Sequence, residues 1–175
     1  MSQTKVEEIL RAFPNLGPEA NEPTPDQLFQ LLELKAGDGF CFVNLLEFRA
    51  SAEYPADHRL SGQEMSGREA YNLYGQVALD HVTRRGGKLL SANSVEMQVV
   101  GVGSKWHAIV TMQYNNVDAF IDMVNDPDYQ QGLVHRDAGL LHSEVFVTRA
   151  LVKRPVGRFK FRLMQLARRI RGKAQ

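Results

Sequence analysis

Hydrophobic positions along this chain change period several times, and each change marks an element. Val6, Ile9, Leu10 and Phe13 recur at i, i+3, i+4 and i+7 behind a Thr4-x-x-Glu7 capping box, which predicts a short helix ended by Pro14. Prolines and polar residues with no apolar period follow as far as Pro25, the composition of a linker or an arm lying over the surface. A second short helix is expected from Thr24, with Leu28, Leu31 and Leu32 inward. After Gly37-Asp38-Gly39, the run from Phe40 to Arg49 is apolar on both faces for most of its length, the pattern of a strand covered twice.

Ser66 and Glu69 form another capping box, and helical spacing runs through Ala70, Tyr74, Val77 and His81 to Arg85, where Gly86-Gly87 stops it. Two strands come next, Lys88 to about Gly101 and Trp106 to Tyr114, joined by a turn around Gly103-Ser104. The second alternates, placing Trp106, Ala108, Val110, Met112 and Tyr114 on one face and His107, Ile109, Thr111 and Gln113 on the other. Asn116 caps a helix with Val117, Phe120, Ile121 and Val124 inward, and Asp126-Pro127 opens another carrying Tyr129, Leu133 and Arg136 before Gly139. A strand from His142 to Leu151 closes the series.

From residue 40 the order is β-α-β-β-α-β, the split pattern of a ferredoxin-like α+β domain with an antiparallel sheet. The expected division is a helical arm and linker over 1–39, the ferredoxin-like domain over 40–152, and a tail over 153–175. At 175 residues, 43% hydrophobic and 23% charged, the chain suits one core. No apolar run reaches the roughly 18 to 20 residues of a membrane-spanning helix. Two glutamates also occupy the place of a signal peptide's apolar segment, so a cytoplasmic location is expected. Cys41 is the only cysteine, which excludes an internal disulfide and points to a small buried hydrophobe.

A net charge of +1 conceals a segregation: residues 1–152 hold 12 Lys/Arg against all 20 Asp/Glu, whereas 153–175 hold nine Lys/Arg and no acid. On a helical wheel Phe159, Leu163, Leu166 and Ile170 cluster within about 60°, and Arg158, Arg162 and Arg169 belong to the surrounding basic face. This basic amphipathic helix suits an anionic membrane surface, peripherally at the inner face, or docking on the chain's own acidic body. Nucleic acid is disfavoured, because the body is acidic.

Gly86-Gly87, Trp106, Ala119-Phe120 and, above all, Asp126-Pro127-Asp128-Tyr129-Gln130 followed by Arg136 resemble the domain-of-unknown-function family 1330, within the dimeric α+β barrel superfamily. The resemblance covers about residues 40 to 150. It implies a four-stranded sheet whose outer face pairs with a second chain, hence a homodimer, while helices cover the inner face. Superfamily relatives include cofactor-free monooxygenases, isomerases and haem-degrading enzymes with pockets between sheet and helices, so a cofactor-free monooxygenase-like or isomerase-like activity is what the resemblance implies if the chain is an enzyme.

Within such a layer Asn44 is a polar group in an apolar row and requires hydrogen bonds. Tyr74 and His81 lie two turns apart on one stripe, about 10 Å. Asn44, Tyr74, His81, Trp106, Tyr114 and Arg136 are therefore expected to line an aromatic small-molecule pocket, with His81 and Tyr74 as candidate catalytic groups and the others as substrate contacts. The competing reading packs the aromatics as core, satisfies His81 at a helix end and pairs Arg136 with Asp137 or Asp128. No nucleotide-binding glycine loop, serine-hydrolase elbow or zinc motif is present, so neither a metal nor a cofactor is expected. A peripheral, non-enzymatic role through the basic tail is the alternative function.

Overall fold

A computed structural model describes residues 3–17, 21–34, 39–103 and 105–149. Two N-terminal helices, α1 (Gln3–Ala12) and α2 (Pro25–Leu32), precede the strand β1 (Phe40–Phe48). Then come α3 (Gly67–Arg84), β2 (Lys88–Ser94), β3 (Ala108–Tyr114), α4 (Val117–Val124), α5 (Pro127–Gly139) and β4 (Leu140–Thr148). The four strands form one antiparallel sheet in the order β2-β3-β1-β4, the ferredoxin-like arrangement of a βαββαβ chain. Capping boxes at Thr24 and Ser66 open α2 and α3, each pairing its hydroxyl with an N3 Gln or Glu. Asn116 and Asp126 cap α4 and α5. At the first helix the expectation fails: α1 begins at Gln3, so Thr4 sits inside its first turn and is not a cap.

Register fixes the two faces of the sheet. Phe40 opposes Tyr114, Phe42 opposes Met112, Asn44 opposes Val110 and Leu46 opposes Ala108, and these even-numbered residues face the helices. The hydrophobic core on that side is divided. One cluster joins Phe40, Met112, Phe120 and Tyr129 with Ile9 of α1 and Leu28 of α2; the other joins Leu46, Phe48, Ala108 and Leu140. Asn44 lies on β1 between them. The N-terminal helices thus share the main core, and Ile9, fully enclosed, contributes roughly 1.5–3 kcal/mol of burial.

Helices α3 and α5 pack back to back through glycines. A Cβ on Gly67 would stand 2.5 Å from the carbonyl oxygens of both Arg49 and Gly139, so only glycine lets the start of α3 and the end of α5 approach so closely. Burial on α3 follows this contact at Gly67, Ala70, Ala78, His81 and Val82.

The opposite, outer face carries Cys41, Val43 and Leu45 beside Ile109 and Phe146. Cys41 is half-buried there, not enclosed as expected. The strand expected from Lys88 to about Gly101 ends at Ser94, because β3 begins only at Ala108 and offers nothing further to pair with. Its last rung is the Val95 N–H to the His107 carbonyl, at 3.1 Å. Beyond it Met97, Val99, Val100 and Val102 project into solvent, Val102 at 97% exposure. Tail residues 153–175, with Arg158, Phe159, Arg162, Leu163, Leu166, Arg169 and Ile170, lie outside the described residues. No described helix is long and apolar enough to cross a membrane.

Candidate functional site

Tyr71 and Tyr74 of α3 lie near Arg136 of α5, and Asn44 stands on the helix-facing side of β1 between the two core clusters. Asn44 donates its amide to the Val110 carbonyl at 3.0 Å and to the Phe42 carbonyl at 3.4 Å, which answers the cost of a polar side chain in an apolar row. Tyr71 and Tyr74 are ring neighbours on α3 with centroids 5.4 Å apart, one packed against each cluster. The Tyr74 hydroxyl shares a 2.7 Å hydrogen bond with the Tyr129 hydroxyl of α5. Burial pushes both phenols up, so each stays protonated and able to donate at neutral pH.

Arg136 is the charge of this layer. Its Nη1 holds Glu22 at 2.8 Å and Asp137 at 3.1 Å, and its Nη2 donates to the Asn21 carbonyl. The Arg136 and Glu22 side chains are only 14% and 12% exposed, so this is a largely desolvated pair. Burial opposes the guanidinium charge, but Glu22, the phenols and Asp137 outweigh it and hold Arg136 protonated. On the other side of the pair, burial raises the Glu22 carboxyl against the pull of Arg136. Sequence spacing pointed to Asp137 or Asp128 as the partner; the principal one, Glu22, lies 114 residues away and no local signal could reveal it.

His81 is 3% exposed and joins a different network. Its Nδ1 lies 3.4 Å from Asp126 and 3.2 Å from Arg85, and its ring stands edge-on to Tyr129 at 5.8 Å. Arg85 bridges Asp122 and Asp126, and its hydrogen bond holds the Asp126 carboxyl below the usual range. Tyr129 thus links the Tyr74 and His81 sites. Tyr114 is packed among Phe40, Phe42 and Phe120 at 5.1–5.4 Å, inside the main cluster.

Trp106 requires a correction. It was expected on the Tyr114 face, but it stacks on His142 at 5.6 Å and lines an outer-face cleft of about 490 Å³ with Glu47, Lys105 and Glu144. Alternation fails at the start of β3. His107 Nδ1 takes the Phe48 N–H at 3.0 Å in place of a backbone carbonyl, and its ring stacks on Phe48, so His107 takes the inner side and Trp106 the outer. A second cleft, about 560 Å³, lies against α5 between Ala12, Tyr54, Leu133 and Val134 and reaches Glu22 and Asp137. Beside it, Tyr54 hydrogen-bonds His135 at 2.8 Å and stacks on His58 at 4.6 Å, a group that sequence spacing did not single out. No cluster of three or more metal-ligating side chains occurs among the described residues.

Comparison with known proteins agrees with this architecture. The chain resembles the structure of methylated RPA0582 over 79% of its own length and 100% of that chain, at 26% identity and a TM-score of 0.68. A second structure, of the RPA0582 protein of unknown function from Rhodopseudomonas palustris, matches at 27% identity and a TM-score of 0.66, over 75% of this chain and 96% of that one. SnoaB, a cofactor-independent oxygenase from Streptomyces nogalater, aligns at 15% identity and a TM-score of 0.43, over 67% of this chain and 98% of its own. No curated protein matches the chain. The sequence profile of one family matches residues 60–150, more than half the length, and with the βαββαβ sheet in place the chain belongs to the family described as a domain of unknown function (DUF1330).

Proposed function

We propose that this chain binds a small organic molecule at the polar seam between sheet and helices, with Asn44, Tyr74 and Arg136 as its contacts. The observation that carries this reading is the division of the core. A ferredoxin-like layer needs no polar groups for stability, yet Tyr71 and Tyr74, one packed on each cluster, meet at 5.4 Å, and the desolvated Arg136 guanidinium is close enough to act on both phenols. The layer also stays open at one edge. Val145 and Val147 share the face of Asn44 and Phe42 across the β1–β4 ladder but remain 50% and 44% exposed.

The chemistry favours binding over proton abstraction, since Tyr74 is a donor at neutral pH and His81 is held by Asp126 and Arg85. A cofactor-free oxygenation or isomerisation would then draw on the seam for orientation and water exclusion. The test is a fragment screen by ligand-observed NMR on the wild type, Tyr74→Phe and Arg136→Met. Hits should weaken in both variants and persist in Val102→Ser; hits indifferent to Tyr74 and Arg136 would refute the seam as the site.

The same reading includes a homodimer through the outer sheet face, supported by its row of Val43, Leu45, Ile109 and Phe146 and by the projecting apolar loop at Met97–Val102. A second function, attachment to an anionic membrane surface, is supported by the charge segregation and apolar stripe of residues 153–175. Co-sedimentation with anionic vesicles should fall when Leu163 and Leu166 become Ser; unchanged pelleting would remove it.

A further inference from the structure

Resting on the small-molecule reading above, we propose that the Arg136 guanidinium is a carboxylate site whose built-in occupant is Glu22. The ligand of the seam is then an organic carboxylate with an apolar body, and it enters by displacing Glu22.

A buried guanidinium needs an anion. Among the described residues of the family-matched segment 60–150, the one carboxylate paired with Arg136 is Asp137, whose side chain is 62% exposed and one residue away. The largely buried anion comes from Glu22, outside that segment. Helix α5 and the N-terminal arm thus supply the two halves of one ion pair: α5 provides the planar fork suited to any carboxylate, and the arm fills it.

Delivery of Glu22 is local and depends on a few contacts. Asn21 has φ +54°, the one non-glycine residue with positive φ among those described, and its side chain takes the Ser143 N–H at 2.8 Å while donating to the Leu141 carbonyl at 3.4 Å. These contacts pin Asn21-Glu22 to the edge strand β4. The Glu22 N–H returns to the Gly17 carbonyl at 3.1 Å, and the Gly17 N–H to the Pro23 carbonyl at 3.1 Å, so the backbone of Gly17, Glu22 and Pro23 is bonded within the arm.

Access to the pair exists from solvent. The 560 Å³ cleft ends on Glu22 and Asp137, and its walls include Tyr54, Pro55, Leu133 and Val134. An aryl or alkyl body fits those walls, and its carboxylate then meets Arg136 where Glu22 sits. A cation would gain nothing from displacing Glu22, because it would leave the guanidinium uncompensated.

The experiment compares phenylacetate with its neutral isostere phenylacetamide, by calorimetric titration at matched ionic strength, on the wild type, Glu22→Gln and Arg136→Met. Phenylacetate should bind Glu22→Gln at least tenfold more tightly than the wild type and should lose binding in Arg136→Met, while phenylacetamide should be indifferent to both changes. Equal phenylacetate affinity in wild type and Glu22→Gln overturns the proposal, as does an amide that binds as well as the acid. Should Glu22→Gln not fold, the wild type still decides. Backbone amide signals of Asn21 and Glu22 should move with phenylacetate and not with phenylacetamide, and still signals overturn the displacement. Neutral fragments binding at Tyr74 with no carboxylate preference would overturn this assignment alone. Carboxylate binding that depends on Arg136 but ignores Tyr74→Phe would keep it and remove the seam from the proposed function.

Discussion

Removing the Tyr74 hydroxyl by Tyr74→Phe tests how much of the seam is a specific polar contact and how much is packing. The Tyr74 ring can stay in place, where it meets Tyr71 at 5.4 Å and Tyr129 at 6.1 Å, so little apolar contact is lost. What is lost is the 2.7 Å bond to Tyr129, a residue 7% exposed. Leaving that hydroxyl without its partner costs about 1–3 kcal/mol, the desolvation penalty of an orphaned buried group. Tyr129→Phe should cost a similar amount for the reciprocal reason. The double variant carries no orphan, so its destabilisation should be no larger than that of one single variant, a coupling of at least about 1–3 kcal/mol. Urea unfolding followed by fluorescence gives the three differences, provided the slope with denaturant stays constant across the set. For a chain of this length each kcal/mol moves the melting temperature by about 2–4 °C. If the two single costs add in the double variant, the hydroxyls do not act as a pair and the polar character of the seam is refuted.

Three further outcomes follow from the geometry. Gly139→Ala should destabilise by at least about 1–3 kcal/mol, since its Cβ would stand 2.7 Å from the Tyr71 backbone nitrogen; unchanged denaturation would mean that α3 and α5 separate without cost. Burial raises the folded-state pKa of Glu22, so its stability contribution is present in full below the unfolded value near 4.3 and is lost as pH rises through the folded value. Glu22→Gln should therefore lack that part of the pH dependence of the melting temperature just above pH 4, and identical pH profiles would show that Glu22 does not titrate with folding. Leu45→Glu on the outer face should shift sedimentation at micromolar concentration from a dimer toward the 19.7 kDa single chain; a wild type that already sediments as one chain would remove the dimer.

The sequence by itself determined the elements and their order, because those depend on short-range signals. The capping box at Ser66, the Asp126-Pro127 cap and the apolar period each act within a few residues, although the box read at Thr4 does not form, and a βαββαβ order leaves few ways to build one antiparallel sheet. The two- and 3.6-residue periods put Asn44 on one strand face and Tyr74 on one helix stripe, but which strand face meets the helices is set by tertiary packing. Tertiary structure decided the rest. Trp106 changed face because His107, not a backbone group, satisfies the Phe48 N–H where the ladder ends, and alternation holds only while a partner strand imposes it. Arg136 took its main partner from Glu22, across 114 residues, because burial of a charge is settled by whichever anion the folded chain brings to it. Asn44 was legible as a polar residue needing a partner; that its partner is the Val110 carbonyl, and that it stands between two separate clusters, follows from strand register and from the helices packed on the sheet.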